Sequence, residues 1–178
     1  MTTIDHAGPL AVSESGALTD ERIATRALQV ARRTALGVLG DTEAAADVAQ
    51  EVAITAVRRA GSLRDPAALD AWLHRIAVRA ALRESRRAGR RREAERAGHD
   101  PPERLDDHAL TGALALLDDL PARQRAALTL RYVHDLPDAA IARALRCRPG
   151  TVRSLLSRGR EAVRAAIEHD HRSPHEDL

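Results

Sequence analysis

The sequence contains no lysine, no phenylalanine and a single cysteine, and its aromatic content is 1%, one Trp and one Tyr. Each shortage excludes something. A platform that stacks single-stranded bases needs several exposed rings, so an RRM-like or OB-like reader is ruled out. One cysteine cannot build a disulfide framework or a cysteine-based zinc finger. No run of about 18 apolar residues occurs, so no membrane span is expected. Residues 1–20 show no basic stretch followed by an apolar one, so no secretory signal is expected and the cytoplasm is the expected compartment. HExxH, CxxC and Gly-rich phosphate-loop patterns are missing. Eight histidines (His6, His74, His99, His108, His134, His169, His171 and His175) are scattered along the chain. The expectation is no catalytic residue, no cofactor and no metal; the three tail histidines read as part of a disordered end.

What is present is globular in character: 44% hydrophobic and 30% charged residues in 178. The net charge is only +2, but the charges are grouped. Arg75 to Arg96 holds nine arginines against Glu84, Glu93 and Glu95, a net of +6. Arg123 to Glu168 holds ten against Asp135, Asp138, Glu161 and Glu168, again +6. Between them, Asp100 to Ala122 has six acids against Arg104, a net of −5. Two basic blocks around an acidic segment suggest two contacts with a polyanion. All the basic residues being arginine favours paired hydrogen bonds to phosphates and guanine edges.

Periodicity is helical throughout, and no strand-like alternation persists. Residues 1–20 read as a loose tail. Gly40-Asp41 breaks the first helical stretch, with Asp41 placed to cap the next helix. Gly61 ends that helix, and Asp65-Pro66 reads as a cap followed by a first-turn proline. Leu69, Trp72, Leu73, Ile76, Ala80 and Leu82 then form an apolar stripe. His99 to Glu103, with Pro101 and Pro102, is the clearest break. Beyond it, helices are expected over Leu105–Leu117, after Leu120-Pro121, after Leu136-Pro137 and after Pro149-Gly150. The reading is all-α: two small helical domains, 21–92 and 108–168, joined by an acidic, proline-containing linker at 93–107, with tails at 1–20 and 169–178.

The strongest local pattern is DAAIARALRCRPGTVRSLLSRGR, Asp138 to Arg160. A short helix carrying Ile141 and Leu145, a tight break at Cys147–Gly150 and a longer helix make a helix-turn-helix. The second helix of such a unit enters the major groove, its first turns nearest the base edges. Val152, Leu155, Gly159 and Val163 share the side expected to be buried. Arg148, Thr151, Arg153, Ser154, Ser157 and Arg158 are left for DNA.

The stretch LPARQRAALTLRYVHDLPDAAIARALRCRPGTVRSLLSRGREAVR resembles region 4 of the bacterial extracytoplasmic-function (ECF) sigma factors, with its L-P-x-x-Q-R opening, L-R-Y centre, I-A-x-x-L helix and G-T-V-[KR]-S recognition helix. LGDTEAAADVAQEVAITAVRR and DPAALDAWLHRIAVRAALRESRR resemble region 2 of the same family, with D-x-x-Q-E, A-W-L-x-x-I-A and a basic helix end. The resemblance spans roughly residues 24–167. It implies an RNA polymerase sigma factor, not an enzyme by itself. Region 2 would bind the β′ clamp helices of core polymerase through Asp47, Gln50 and Glu51. It would meet the −10 element through the basic helix of Arg75, Arg79, Arg83, Arg86 and Arg87. Region 4 would bind the β flap and read the −35 element as duplex. An anti-sigma partner is a further implication, since many members have one.

The sequence also departs from the family pattern. The usual Phe and Trp after Q-E correspond to Ala53 and Val57, which predicts a lighter core. The usual Asn and Asp of the −10-reading helix correspond to Arg79 and Arg83, which favours phosphate contact. The turn Gly is Arg146, and the usual cap Ser is Pro137. Cys147 lies in the turn, as a small apolar filler or, if exposed, a redox-sensitive thiol. Two other functions fit the residues alone: a stand-alone helix-turn-helix regulator with a degenerate region 2, and a module that sequesters a partner protein.

Overall fold

A computed structural model describes residues 19–96 and 120–170. Every regular element among them is helical. The sequence breaks set the boundaries. Helix α1 (Asp20–Leu39) starts where the Thr19 hydroxyl accepts the Arg22 N–H, with Asp20 and Glu21 facing the positive helix end. It stops at Gly40, whose left-handed φ of 71° lets its N–H reach the Leu36 carbonyl at 2.9 Å. The Asp41 carboxylate then accepts the Ala44 N–H at 2.8 Å and opens α2 (Thr42–Arg58). Helix α2 ends three residues before Gly61, which sits inside a 3₁₀ turn, Ala60–Ser62. Asp65 caps a second 3₁₀ turn, Pro66–Ala68, through the Ala67 N–H, and α3 runs from Leu69 to Arg96.

Helices α1 to α3 form an N-terminal module. Its core is built on alanine: Ala27, Ala31 and Ala35 recur every fourth residue on α1 and are buried, as are Ala45, Ala49, Ala53 and Ala56 of α2, and the two helices pack on each other. Small side chains let two helix backbones come close, which replaces the bulk that missing aromatics would supply. The lighter core expected from Ala53 is present, with Ala53 buried and Val57 packed against the cluster.

The C-terminal module begins with α4 (Ala122–Leu128), which widens into a π-type turn at Thr129–Val133. Helix α5 (Asp138–Leu145) and helix α6 (Pro149–Asp170) follow. Leu128, Leu130, Ile141, Leu145, Val152 and Leu156 are its buried residues of size. Gly159 lets Leu128 lie against α6; a Cβ there would sit 2.9 Å from a Leu128 methyl. The expected helix at Leu105–Leu117, most of the acidic linker and most of both outer tails lie outside the described residues; Thr19 and Asp20, read as tail, begin α1, and α6 runs on through Asp170, past the expected tail boundary at residue 169. Helix α3 itself continues through Arg96, into the stretch read as linker from residue 93.

The two modules pack directly on each other. Helix α3 lies against α4 and α5, and α1 lies against α4 and the π-type turn. This explains why α3 buries more than its predicted stripe. Leu73, Ala80 and Leu82 are buried as expected, but so are Ala77, Val78 and Ala81. A helix covered on two sides shows no single apolar face.

Candidate nucleic-acid interface

The helix-turn-helix forms at the expected residues. Helix α5 ends at Arg146, a non-glycine residue held at φ 51° and ψ 56°. Its N–H and that of Cys147 both reach the Ala142 carbonyl, which closes the helix end. A side chain in this region costs on the order of 1 kcal/mol relative to glycine. Pro137 makes no side-chain cap, as its chemistry requires. The Arg148 carbonyl starts α6 by accepting the Thr151 and Val152 N–H groups.

On α6, Val152 and Gly159 are buried and Leu155 and Val163 partly so, with Leu156 added to the buried side. Arg148, Thr151, Arg153, Ser154 and Arg158 are exposed on the other side. Ser157 is half-buried and its hydroxyl donates to Glu161 at 3.3 Å, so it stands at the edge of this face rather than on it. The Ser154 hydroxyl donates back to the Gly150 carbonyl at 3.2 Å. Arg143, Arg146 and Arg148 rim a shallow recess between α5 and α6, with Cys147 in its wall. The whole end of the unit therefore presents arginine, suited to phosphate and guanine.

Asp47, Gln50 and Glu51 are all exposed on one face of α2. The five arginines of α3 expected to meet the −10 element share a stripe, but they are not alike. Arg83 pairs with Glu51 at 2.9 Å, so a residue read as DNA-facing and one read as polymerase-facing touch each other. Arg87 lies 3.7 Å from Glu84. Arg86 donates to the Leu82 carbonyl at 3.1 Å. Arg75 and Arg79 are half-buried. Arg79 reaches across to the C-terminal module and donates to the Ala144 and Arg143 carbonyls at 3.4 and 3.5 Å. Partial burial lowers its pKa, with Arg146 and Arg75 as repelling neighbours.

A cluster that the sequence did not signal lies where the modules meet. His134, at the end of the π-type turn, and His74 of α3 stand edge to face, with ring centroids 4.5 Å apart. The Thr34 hydroxyl of α1 donates to the Val30 carbonyl at 2.7 Å, so its oxygen accepts from His134 Nε2 at 2.8 Å. His74 Nδ1 is buried without a hydrogen-bond partner. Burial lowers both imidazole pKa values, that of His134 to about 4, with His74, Arg33 and Arg26 adding repulsion there. Arg26 and Asp70 make a paired bridge beside them, 2.8 and 2.7 Å, which holds the Asp70 carboxyl below its ordinary range. Gly37 of α1 completes the contact: a Cβ there would fall 2.4 Å from Thr129 Oγ1. The histidines are 60 residues apart in sequence, and no local pattern links them.

No group of His, Cys, Asp and Glu among the described residues could hold a metal ion, and no described helix is long and apolar enough to cross a membrane.

Comparison with known proteins bears on what this surface serves. Residues 23–91 match the family described as sigma-70 region 2, and residues 112–163 match sigma-70 region 4. The chain is 36% identical over 145 residues to the RNA polymerase sigma-H factor of Pseudomonas aeruginosa, covering 72% of this chain and 75% of that one. It is 34% identical over 142 residues to the ECF RNA polymerase sigma factor SigE of Mycolicibacterium smegmatis, covering 74% of this chain and 55% of the relative. In fold it is similar to the sigma factor RpoE of Bartonella quintana, solved in complex with the anti-sigma factor NepR. The TM-score is 0.68 at 22% identity, over 83% of this chain and 96% of that one.

Proposed function

The chain belongs to the ECF group of the sigma-70 family and is an RNA polymerase sigma factor, and from that premise we propose how its surfaces divide the work of promoter recognition. Asp47, Gln50 and Glu51 dock core polymerase at the β′ clamp helices. An exposed acid–amide–acid face, with the exposed Ile54 one turn on, suits a basic helical partner, with charge setting encounter rate and register. Arg83, Arg86 and Arg87, with Arg75 and Arg79, hold the −10 DNA by its phosphates. The exposed face of α6 reads the −35 duplex. Arg153 sits one turn into that helix, where base edges are within reach, and Arg160 and Arg164 lie farther along, where phosphate is the partner. The C-terminal module also meets the β flap.

The observation that carries this reading is the pairing of a helix-turn-helix with a second module that bears an exposed acid–amide–acid face, Asp47, Gln50 and Glu51. A stand-alone DNA regulator has no use for Asp47, Gln50 and Glu51. The chain itself performs no covalent chemistry in this scheme; it positions the polymerase, which does. It acts beside polymerase and chromosome, in the cytoplasm. An anti-sigma protein is part of the proposal, since the similar Bartonella factor was crystallised with one.

Run-off transcription with purified core polymerase on fragmented genomic DNA tests the reading. The expected result is a discrete set of transcripts that needs both the chain and core. Tight, sequence-specific duplex binding by the free chain, with no transcripts, would replace it with the stand-alone regulator.

A further inference from the structure

Three residues are buried and polar among those described: Thr34, His74 and Thr129. All three lie at the seam between the modules, on α1, α3 and the π-type turn. Inside the modules the buried residues are apolar. The seam sets these polar groups beside the buried Ala77, Val78 and Ala81 of α3, whereas the interior of each module is apolar alone. Such a contact loses less when water enters it, because its polar groups regain hydrogen bonds on opening.

The seam must open for promoter binding as assigned above. The −35 and −10 elements are 25 base pairs apart by their names, about 85 Å along a duplex. A packed body of about 130 residues has a radius of gyration near 14 Å, so it is roughly 40 Å across. The packed form therefore cannot place α3 on one element and α6 on the other. Arg79 is also committed to the carbonyls of α5 while the seam is closed.

We propose that His134 and His74 form a proton-sensitive latch, which holds the two modules in a closed resting form and releases them on acidification. In the closed form His134 donates its Nε2–H in a hydrogen bond to Thr34 Oγ1, and its ring packs against His74. The charged groups that face the pair are Arg26 and Arg33 from α1 and Asp70 from α3. Asp70 is already neutralised by the paired bridge from Arg26. A proton on His134 thus adds positive charge beside Arg26, Arg33 and His74, and one on His74 adds it beside Arg26; Asp70, tied to Arg26, offsets only part of this on top of burial. The direction follows from linkage. An exposed histidine titrates near 6.5, and His134 in the seam at about 4. The open form binds more protons across that interval. Closure is at full strength above about pH 6.5 and weakens as pH falls from there toward 4. From His134 alone, the closed-to-open ratio drops about tenfold between pH 7.5 and 5.5.

The use of the latch in transcription rests on the sigma-factor reading, but the latch is a property of the chain alone. Its test therefore uses the full chain without polymerase, and its failure leaves that reading standing. Dyes are placed on Arg59→Cys and Ala165→Cys, both exposed, in a Cys147→Ser background, and single-molecule energy transfer counts closed and open populations. The expected result is a fall of about tenfold or more in the closed-to-open ratio from pH 7.5 to 5.5, with helicity unchanged. Gly37→Ala, whose Cβ collides with Thr129, should read open at both pH values. His134→Gln keeps a donor for Thr34 without a titrating ring, and should lose most of the pH response. Imidazole titration by NMR gives a reading independent of how that variant closes: His134 and His74 should titrate near 6.5 in Gly37→Ala and lower in the wild-type chain. A wild-type ratio that does not change with pH, a His134→Gln chain that closes yet opens with acid as the wild type does, or equal histidine midpoints in wild type and Gly37→Ala would each overturn the proposal.

Discussion

The core inside each module and the seam between the modules are packed by different rules. The cores are apolar: alanine ridges on α1 and α2, and Leu130, Ile141, Val152 and Leu156 around α4 to α6. The seam holds Thr34, Thr129 and the two histidines, with a glycine where the backbones press closest. An apolar core resists any opening, because exposing it returns its whole area to water. The seam mixes apolar cover, from Ala77, Val78 and Ala81, with polar groups that regain hydrogen bonds when water enters, so it loses less per unit area on opening than the cores do. Under the proposed latch, that difference separates what stays folded on the promoter from what comes apart there.

The largest effect should come from the cores. Leu130→Ala removes a fully buried side chain and should cost about 2–5 kcal/mol. Urea denaturation followed by circular dichroism reads it, and for the C-terminal module that loss is a large part of total stability. If the cost were as small as that of a seam substitution, the contrast between core and seam would be lost.

The second test keeps both modules folded and removes a function. Reversing charge at Asp47 and Glu51 together should weaken competition for core polymerase at least tenfold without altering the melting curve. A double variant that competes as well as wild type would remove the docking assignment. The third works on α6. Arg153→Ala should cost roughly 1–3 kcal/mol on cognate −35 DNA and relax preference at one base pair, in promoter-variant transcription by the holoenzyme. Arg164→Ala should weaken all sequences alike and reduce the salt slope by about one unit. An unchanged ranking of −35 variants with Arg153→Ala would move that residue to the phosphate group.

Smaller effects sharpen the picture. Arg146→Gly relieves a left-handed residue at the helix-turn-helix corner and should raise the stability of the C-terminal module by about 1 kcal/mol in thermal melts. Breaking Glu51–Arg83 with Arg83→Ala should change stability by about 1 kcal/mol or less, because both side chains are half exposed and water screens them. Its effect should appear instead in −10 DNA binding.

What the sequence made legible is local. Asp41, Asp65-Pro66 and Pro149-Gly150 mark helix starts because capping chemistry acts within three residues. The outward set on α6 is legible for the same reason: helical phase fixes it once Val152 and Gly159 face inward. Helix α2 ends before Gly61 because a 3₁₀ turn intervenes, and composition does not distinguish that turn from a helix end. The second buried side of α3 was not legible, since Ala77, Val78 and Ala81 gain their cover from a module beyond residue 119. Ser157 stands half-buried because Glu161, one turn on, engages its hydroxyl. The histidine pair is the extreme case. His74 and His134 look like two of eight scattered histidines until two helices and a π-type turn bring them within 4.5 Å.

The most direct measurement follows the same cross-module dye pair into a working complex. Core polymerase and a duplex carrying both promoter elements are added to the labelled chain, and energy transfer is read in the population that goes on to make transcript. The account predicts low transfer there, with both modules still folded. High transfer in a transcribing complex would contradict it, because a closed chain would then be serving two sites that it cannot span.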